Sequence, residues 1–285
     1  MPSLRLLTLN IAHGRGLSLY QGFHSLKYIH RNLDRIAHLL RRLRPDIVAL
    51  QEVDESSHWN KHINLLSYLQ ENAAYSHAFL GVHNRRGGEK ELAYGNAILS
   101  HHKIHSTEAI PFGTKTLGEK GYVFAQVEVG QRVIPVINLH LDYRSRRIRT
   151  EQVERIIEDL DERSRHLEGS QRMAPIIFGD FNSSSKRARD AVQHLLSHVR
   201  KHTHYQIHPE GGRTFPAHFP RWGFDFFFVP PEYEVTSCRV IRSYVSDHRP
   251  VLMQIRLPDS AAAGINGDSA VAGAGVEPGG PVNPA

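Results

Sequence analysis

Ile176-Ile177-Phe178-Gly179-Asp180-Phe181-Asn182 reads as a buried strand that presents a carboxylate at its tip. Three apolar residues run into Gly-Asp, and burying an ionised carboxylate is costly unless it is paired or hydrogen-bonded. Strand alternation points Asp180 and Asn182 the same way, one to take a proton and one to hold an oxygen. An Asx turn closing the strand would use the same two residues. The stretch by itself leaves both readings open, and its neighbours decide between them.

Upstream, Leu4 to Asn10 reads as a strand that breaks at His13-Gly14-Arg15-Gly16 and gives way to a surface loop as far as Tyr28. Ile36, Leu39, Leu40 and Leu43 then recur at i, i+3, i+4 and i+7, the stripe of an amphipathic helix. Arg41, Arg42 and Arg44 suit its C-terminal dipole, and Pro45 stops it. Asp46 to Gln51 is a buried strand ending on a second acid, Glu52. This strand–helix–strand order is that of an α/β protein. A helix is expected from Trp59 to Gln70 and a loop over Arg85 to Glu89. Strands follow at Gly95–Ser100, Tyr122–Val129 and Val133–Leu139, the last two joined by a hairpin-like turn at Gly130-Gln131. That run closes on another polar cluster, Asn138-Leu139-His140-Leu141-Asp142.

Thr150 is placed to cap a helix with Val153, Ile156, Ile157 and Leu160 inward. Downstream of Asp180, Ala188 to Val199 reads as helix, and Phe224 to Val229 as an apolar strand interrupted by Asp225. Val245-Ser246-Asp247-His248-Arg249-Pro250 precedes a last strand, Val251 to Leu257. Beyond Pro258 the chain is dominated by Ala, Gly, Pro and Ser, without periodicity. The expected organisation is therefore one catalytic domain over 1–258 and a disordered tail over 259–285.

Charge is uneven along the chain. The tail holds three acids and no Lys or Arg, so the remainder sets 35 basic against 26 acidic side chains, a formal +9. A basic body suits a phosphate-bearing partner and also keeps a protein in solution. Cys238 is the single cysteine, so no internal disulfide forms. No apolar run is long enough to span a bilayer, and the N-terminus lacks signal-peptide order. A cytoplasmic monomer is the expectation.

Asn10, Glu52, His140, Asp180, Asp225 and the Asp247-His248 pair all adjoin expected strand ends, where α/β sheets bind ligands. Each alone has an ordinary structural explanation; together they form a set. Asp225 inside an aromatic strand needs a partner, and a histidine is the natural one. Glu52, with Asn10 and Asp247, offers hard oxygen ligands of the kind Mg²⁺ takes, with Mn²⁺ able to stand in. No Cys cluster or His-Glu-x-x-His suggests zinc, no phosphate-binding Gly-x-x-x-x-Gly-Lys loop is present, and Gly-x-Ser-x-Gly is absent. Metal-assisted hydrolysis by an activated water remains.

In order, Leu9-Asn10, Leu50-Gln51-Glu52-Val53, Asn138-Leu139-His140-Leu141, Gly179-Asp180-Phe181-Asn182, Asp225 and Ser246-Asp247-His248-Arg249-Pro250 resemble the motif series of the endonuclease/exonuclease/phosphatase superfamily, DNase I-like in fold. The resemblance implies a four-layer α/β sandwich, two mixed β-sheets face to face with helices outside. It also implies Glu52 on a divalent metal with Asn10 beside it, and Asp247 near that metal. Asp180 would orient or deprotonate the attacking water, and Asn182 would support the phosphate. His248 would contact the phosphate, held in its tautomer by Asp225, while His140 would stabilise phosphate or protonate the leaving oxygen.

The substrate is less defined. The 5-phosphatase pattern around Asp225 is missing, and Ala12 stands where abasic endonucleases carry an acid. Arg144, Arg146, Arg147 and Arg149 follow His140, and Lys186, Arg187 and Arg189 follow Asn182. These groups either track a nucleic-acid backbone or decorate solvated loops. Phe215, Phe219 and Trp222, with Arg213 and Arg221, suit a nucleotide, a phospholipid head group or core packing. A nuclease-like phosphodiester hydrolase is the first expectation. A sphingomyelinase-like or small-molecule phosphoesterase is the second, and a non-catalytic binding protein on the same fold the third. A continuous basic groove would mark the nuclease, and an exposed apolar rim the lipid enzyme.

Overall fold

In the computed structural model residues 3–114, 117–166, 173–185 and 190–257 are described. The first half of the chain gives β1 (Ser3–Asn10), α1 (Leu26–Leu43), β2 (Ile47–Ser57), α2 (Leu65–Ala73), β3 (His77–Arg86), β4 (Leu92–Ser100), β5 (Ile104–Pro111) and β6 (Gly121–Val129). The second half gives β7 (Arg132–His140), α3 (Arg146–His166), β8 (Ile176–Asp180), α4 (Ala191–His202), β9 (Gln206–His208), β10 (Asp225–Val229), β11 (Glu234–Val240) and β12 (Val251–Arg256). These form two six-stranded sheets, ordered β11-β12-β1-β2-β4-β3 and β5-β6-β7-β8-β10-β9. Among the described residues no helix is long and apolar enough to cross a membrane.

Alternation along the central strands builds the layers. Leu4 and Leu6 of β1 join Ile176 and Phe178 of β8 and Phe227 of β10 in a core between the sheets. Leu7 and Leu9 point the other way and bury α1 and α2 against the first sheet. Ile177 and Phe228 do the same for α3 and α4 on the second sheet. The result is helix, sheet, sheet, helix, the four-layer sandwich expected.

The same alternation carries polar residues to one end of the inter-sheet core. Asn10 has the parity of Leu4 and Leu6, His140 that of Ile134 and Val136, Asp180 that of Ile176 and Phe178, and Asp225 that of Phe227 and Val229. Register then sets three of them side by side, because His140 pairs with Asp180 across β7–β8 and Asp180 with Asp225 across β8–β10.

Glu52 arrives by a different route. The strand does not end there but runs on to Ser57, and its pairing with β4 shifts between Leu50 and Val53. Leu50 and Val53 both face the helices, so Gln51 and Glu52 together occupy one step of the ladder. Glu52 sits at φ +55°, a bulge conformation that turns its carboxylate out of strict alternation. Asn138 closes the gap this leaves: its amide donates to the carbonyls of Leu50 (2.9 Å) and Ala97 (2.8 Å), and its oxygen accepts from Gln51 at 2.7 Å.

Several local expectations move. The helix expected from Trp59 begins at Leu65, where the Asn64 side chain accepts from the Ser67 N–H at 2.8 Å. Arg85 and Arg86 belong to β3 rather than to a loop. Thr150 lies inside α3, its hydroxyl donating back to the Arg146 carbonyl; Ser145 receives the Ile148 N–H at the helix start instead. The helix after Asp180 starts at Ala191, on an Asp190 cap. Strands β3, β5, β9 and β11 were not foreseen. The tail over 259–285 lies outside the described residues.

Gly179 sits between β7 and β10 at φ +145°, and a Cβ there would lie 2.0 Å from the Leu139 carbonyl oxygen. Gly179→Ala should therefore lower the unfolding free energy by about 2 kcal/mol or more. A urea midpoint equal to that of the wild type would show that the strands can part at no cost.

Candidate active site

Asp180 is the centre of the polar cluster. Its Oδ1 accepts the Asn182 N–H at 2.9 Å, which is the Asx turn. Its Oδ2 accepts from Asn10 Nδ2 at 3.1 Å and from Asn182 Nδ2 at 3.5 Å, and lies 3.5 Å from His140 Nε2 and 3.7 Å from His248 Nε2. One carboxylate thus closes the strand as an Asx turn and also faces the cluster. Asn182 does not continue the alternation. It stands beyond the strand at φ +47°, and its amide donates to the Leu141 carbonyl at 3.0 Å.

His248 is brought in by the segment before β12. The Ser246 hydroxyl donates to the Asn10 carbonyl at 2.6 Å, fixing the turn against β1. His248 Nδ1 meets Asp225 Oδ2 at 2.9 Å, and the Phe215 ring lies against the imidazole at 4.8 Å. This is the partner that Asp225 required. Burial disfavours the imidazolium, but the Asp225 and Asp180 carboxylates outweigh it and push His248 up to about 10. Burial, with Asp225 alongside, pushes the Asp180 carboxyl upward. His140 goes the other way, well below its ordinary value, through burial and the neighbouring Lys120 ammonium.

Glu52 forms the second pole. Lys120 Nζ is 3.5 Å from it, His13 Nε2 3.6 Å and His140 Nε2 4.0 Å. Burial opposes its ionisation, yet Lys120, His13, His140 and Arg15 hold it well below the usual carboxylate range. His13 is itself oriented by Asp54, with Nδ1 2.8 Å from Oδ2, while Trp59 Nε1 donates to Asp54 Oδ1 at 2.9 Å. Its ring is enclosed by Trp59 and Tyr94, each 4.9 Å away. His13, Asp54, Lys120 and Arg15 were not foreseen as site residues. The signal was present in His13, at the break after β1, and in Asp54, two residues beyond Glu52.

Asp247 binds Arg15 at 2.6 Å and so enters the cluster as an ion pair. For a divalent cation the chemistry of the donors fits best at Glu52. Its carboxylate is held ionised, is 20% exposed as a side chain, and has Lys120, His13 and His140 around it, none closer than 3.5 Å. A hard cation that keeps several waters needs one or two such carboxylates. Asn10 Oδ1, the other expected ligand, accepts the Ala12 N–H at 2.9 Å. Asp180, Asp225 and His248 also offer ligand atoms within 4.8 Å of one another, although His248 Nδ1 is engaged by Asp225.

Asp180, Asp225, His248, His140 and Glu52 thus gather at one end of the four-layer sandwich. A family model described as "Endonuclease/Exonuclease/phosphatase family" matches residues 7–248, and the chain belongs to that family, whose members hydrolyse phosphoester bonds. Solved structures agree on the fold. An endonuclease/exonuclease/phosphatase from Beutenbergia cavernae is 21% identical, with 90% of this chain and 72% of that one covered and a TM-score of 0.66. The mannosyl-6-phosphatase Bt3783 of Bacteroides thetaiotaomicron is 16% identical, covering 89% of this chain and all of its own, with a TM-score of 0.65. Sphingomyelinase C from Streptomyces griseocarneus is 18% identical over 89% of this chain and 99% of its own, with a TM-score of 0.61. No curated protein matches.

A raised pKa keeps His248 protonated to higher pH, so a function of the imidazolium is retained at neutral pH and lost as pH rises through about 10. Asp225→Asn removes the foremost group that raises it. The alkaline limb of the pH–rate profile should then move to lower pH, and an unmoved limb would show that Asp225 does not set the charge of His248.

Proposed function

We propose that the chain is a divalent-metal-dependent phosphodiester hydrolase that directs a water at phosphorus in line with the leaving oxygen. The carrying observation is Asp180 Oδ2, a buried carboxylate oxygen ringed by Asn10, His140 and His248 while its other oxygen is fixed by the turn. In this reading Oδ2 receives the proton of the attacking water, and Asn10 Nδ2 holds the carboxylate in place. The His248 imidazolium, kept charged and oriented by Asp225, faces the negative phosphate oxygens. His140, held neutral with Lys120 Nζ 3.3 Å from its Nδ1, can donate an Nε2–H hydrogen bond to a phosphate or leaving oxygen. Glu52, with Asp247 and Asn10, would hold Mg²⁺ or Mn²⁺, which when bound supplies Lewis-acid polarisation of a phosphoryl oxygen. Asn182 supports this set through the turn.

The substrate class follows from what surrounds the cluster. The nuclease reading draws on arginines after His140. Of these, Arg149 is buried and donates through Nε and Nη2 to Asp190, and Arg147 pairs with Glu151 on the helix surface. Lys186, Arg187 and Arg189 lie outside the described residues. The phospholipid reading has an exposed apolar rim in its favour, taken up below.

Hydrolysis of bis-p-nitrophenyl phosphate, p-nitrophenyl phosphate, plasmid DNA and phospholipid vesicles, each with Mg²⁺ or EDTA, tests the reading. Metal-dependent diester cleavage that falls by roughly two to four orders of magnitude in Asp180→Asn and in His248→Ala is expected. Near-wild-type turnover from either purified variant would sink the assignment. Glu52→Gln should shift the Mg²⁺ titration to higher concentration, and an unchanged titration would remove it from the ligand set.

A further inference from the structure

We propose that the loop from Leu17 to Leu26, with the exposed cations of the first turns of α1, is a docking element for an anionic lipid surface beside the mouth of the active site. Large apolar side chains normally leave water, yet Leu19 is 84% exposed, Phe23 85% and Tyr20 69%, with Leu26 at 48% and Leu17 at 39%. Five such residues within ten positions make a patch rather than scattered exposures.

The base of this loop is fixed, so its side chains are held out by structure. Tyr28 donates through its hydroxyl to the Arg15 carbonyl at 3.1 Å, and Asn32 donates to the Gly14 carbonyl at 3.1 Å. Arg15 in turn binds Asp247, next to His248, so the loop is rooted at the catalytic cluster.

Charge selects the occupant. Lys27, Arg31 and Arg35 are exposed at i, i+4 and i+8 of α1, immediately after the apolar loop. From Leu17 to Pro45 the chain holds one acid, Asp34, which accepts the Tyr68 hydroxyl at 2.6 Å. Aliphatic and aromatic side chains beside a basic stripe match an interface of hydrocarbon under anionic head groups. Nucleic acid fits less well, because Leu17, Leu19 and Leu26 offer no π-face for a base.

A second loop tied to the cluster repeats the composition. Phe219 and Trp222 are exposed before β10, with the Arg221 guanidinium 5.1 Å from the Phe219 ring centre. The Ala217 N–H in that loop donates to the Asp247 carbonyl at 2.7 Å. Both rims therefore converge on one residue of the site, and a surface that touches them sets a lipid phosphodiester near Asp180 and His248. The delivery of substrate rests on the phosphodiesterase reading; the docking itself does not.

The full chain would be sedimented with phosphatidylcholine vesicles, with and without phosphatidylserine, at low and high salt. Wild type should bind the anionic vesicles, and less so at high salt. The double variant Leu19→Ser/Phe23→Ser should lower the partition coefficient on the order of tenfold or more, as should Lys27→Glu/Arg31→Glu. Both should keep wild-type thermal unfolding and wild-type cleavage of a soluble diester. Absence of vesicle binding, or binding unchanged in the two variants, overturns the proposal. So does loss in the variants of single-stranded DNA binding or of self-association when vesicles are not bound, which would give the patch to a nucleic acid or a second copy. Vesicle binding without hydrolysis of any diester leaves the docking standing and removes the enzymatic reading.

Discussion

The Asn138 amide is the interaction on which the site depends. It comes from the second sheet, crosses the inter-sheet core, and donates to two carbonyls of the first, those of Leu50 and Ala97. The Leu50 carbonyl adjoins the bulge at Gln51 and Glu52, where the ladder to β4 loses register. A buried carbonyl left without a donor costs about 1–3 kcal/mol. Asn138 supplies a donor to each of these carbonyls, and its oxygen takes Gln51 into the same network. The bulge can then persist and hold Glu52 beside Lys120 and His140. Because one side chain joins the sheets at the depth of the site, the Glu52 pole on one sheet and the Asp180 pole on the other are held in fixed relation.

Between these poles the environment separates the acid–base properties of similar groups. His248 and His140 are both buried and both near Asp180, yet the Asp225 contact raises one and the Lys120 contact lowers the other. The carboxylates separate likewise, Glu52 downward among cations and Asp180 upward through burial beside a second carboxylate. Two residue types thereby supply four chemical states within one cluster, which is how a site sustains acid and base chemistry together.

The fold was legible where strands are central. β1, β2, β4, β6, β7, β8, β10 and β12 have neighbours on both sides and carry strong apolar patterns, and all eight could be read from the sequence. β3, β5, β9 and β11 are the four sheet edges. β5 and β11 alternate mostly between exposed and half-buried positions, so little hydrophobic signal marks them. In the site, Asp180, His140, Asp225 and Asn10 were legible because period-two alternation brings them to one face. Glu52 was picked as a strand end, whereas a bulge inside a longer strand places it. His13 and Lys120 were missed because each becomes part of the site only when separate strands meet. Arg149 shows the converse: its charge was visible in the sequence, and its burial against Asp190 was not.

The Asx turn at Asp180 has a consequence for how protons leave. With Oδ1 tied to the Asn182 N–H, the carboxylate cannot rotate to exchange its two oxygens without breaking that bond. The residue is also 1% exposed, so a proton gained on Oδ2 has no direct path to bulk water. The groups that face it are the Asn10 and Asn182 amides and the two imidazoles, of which only the imidazoles can relay a proton. In the proposed reading, return of Asp180 to its carboxylate between turnovers would pass through an imidazole, at a rate set by the pocket.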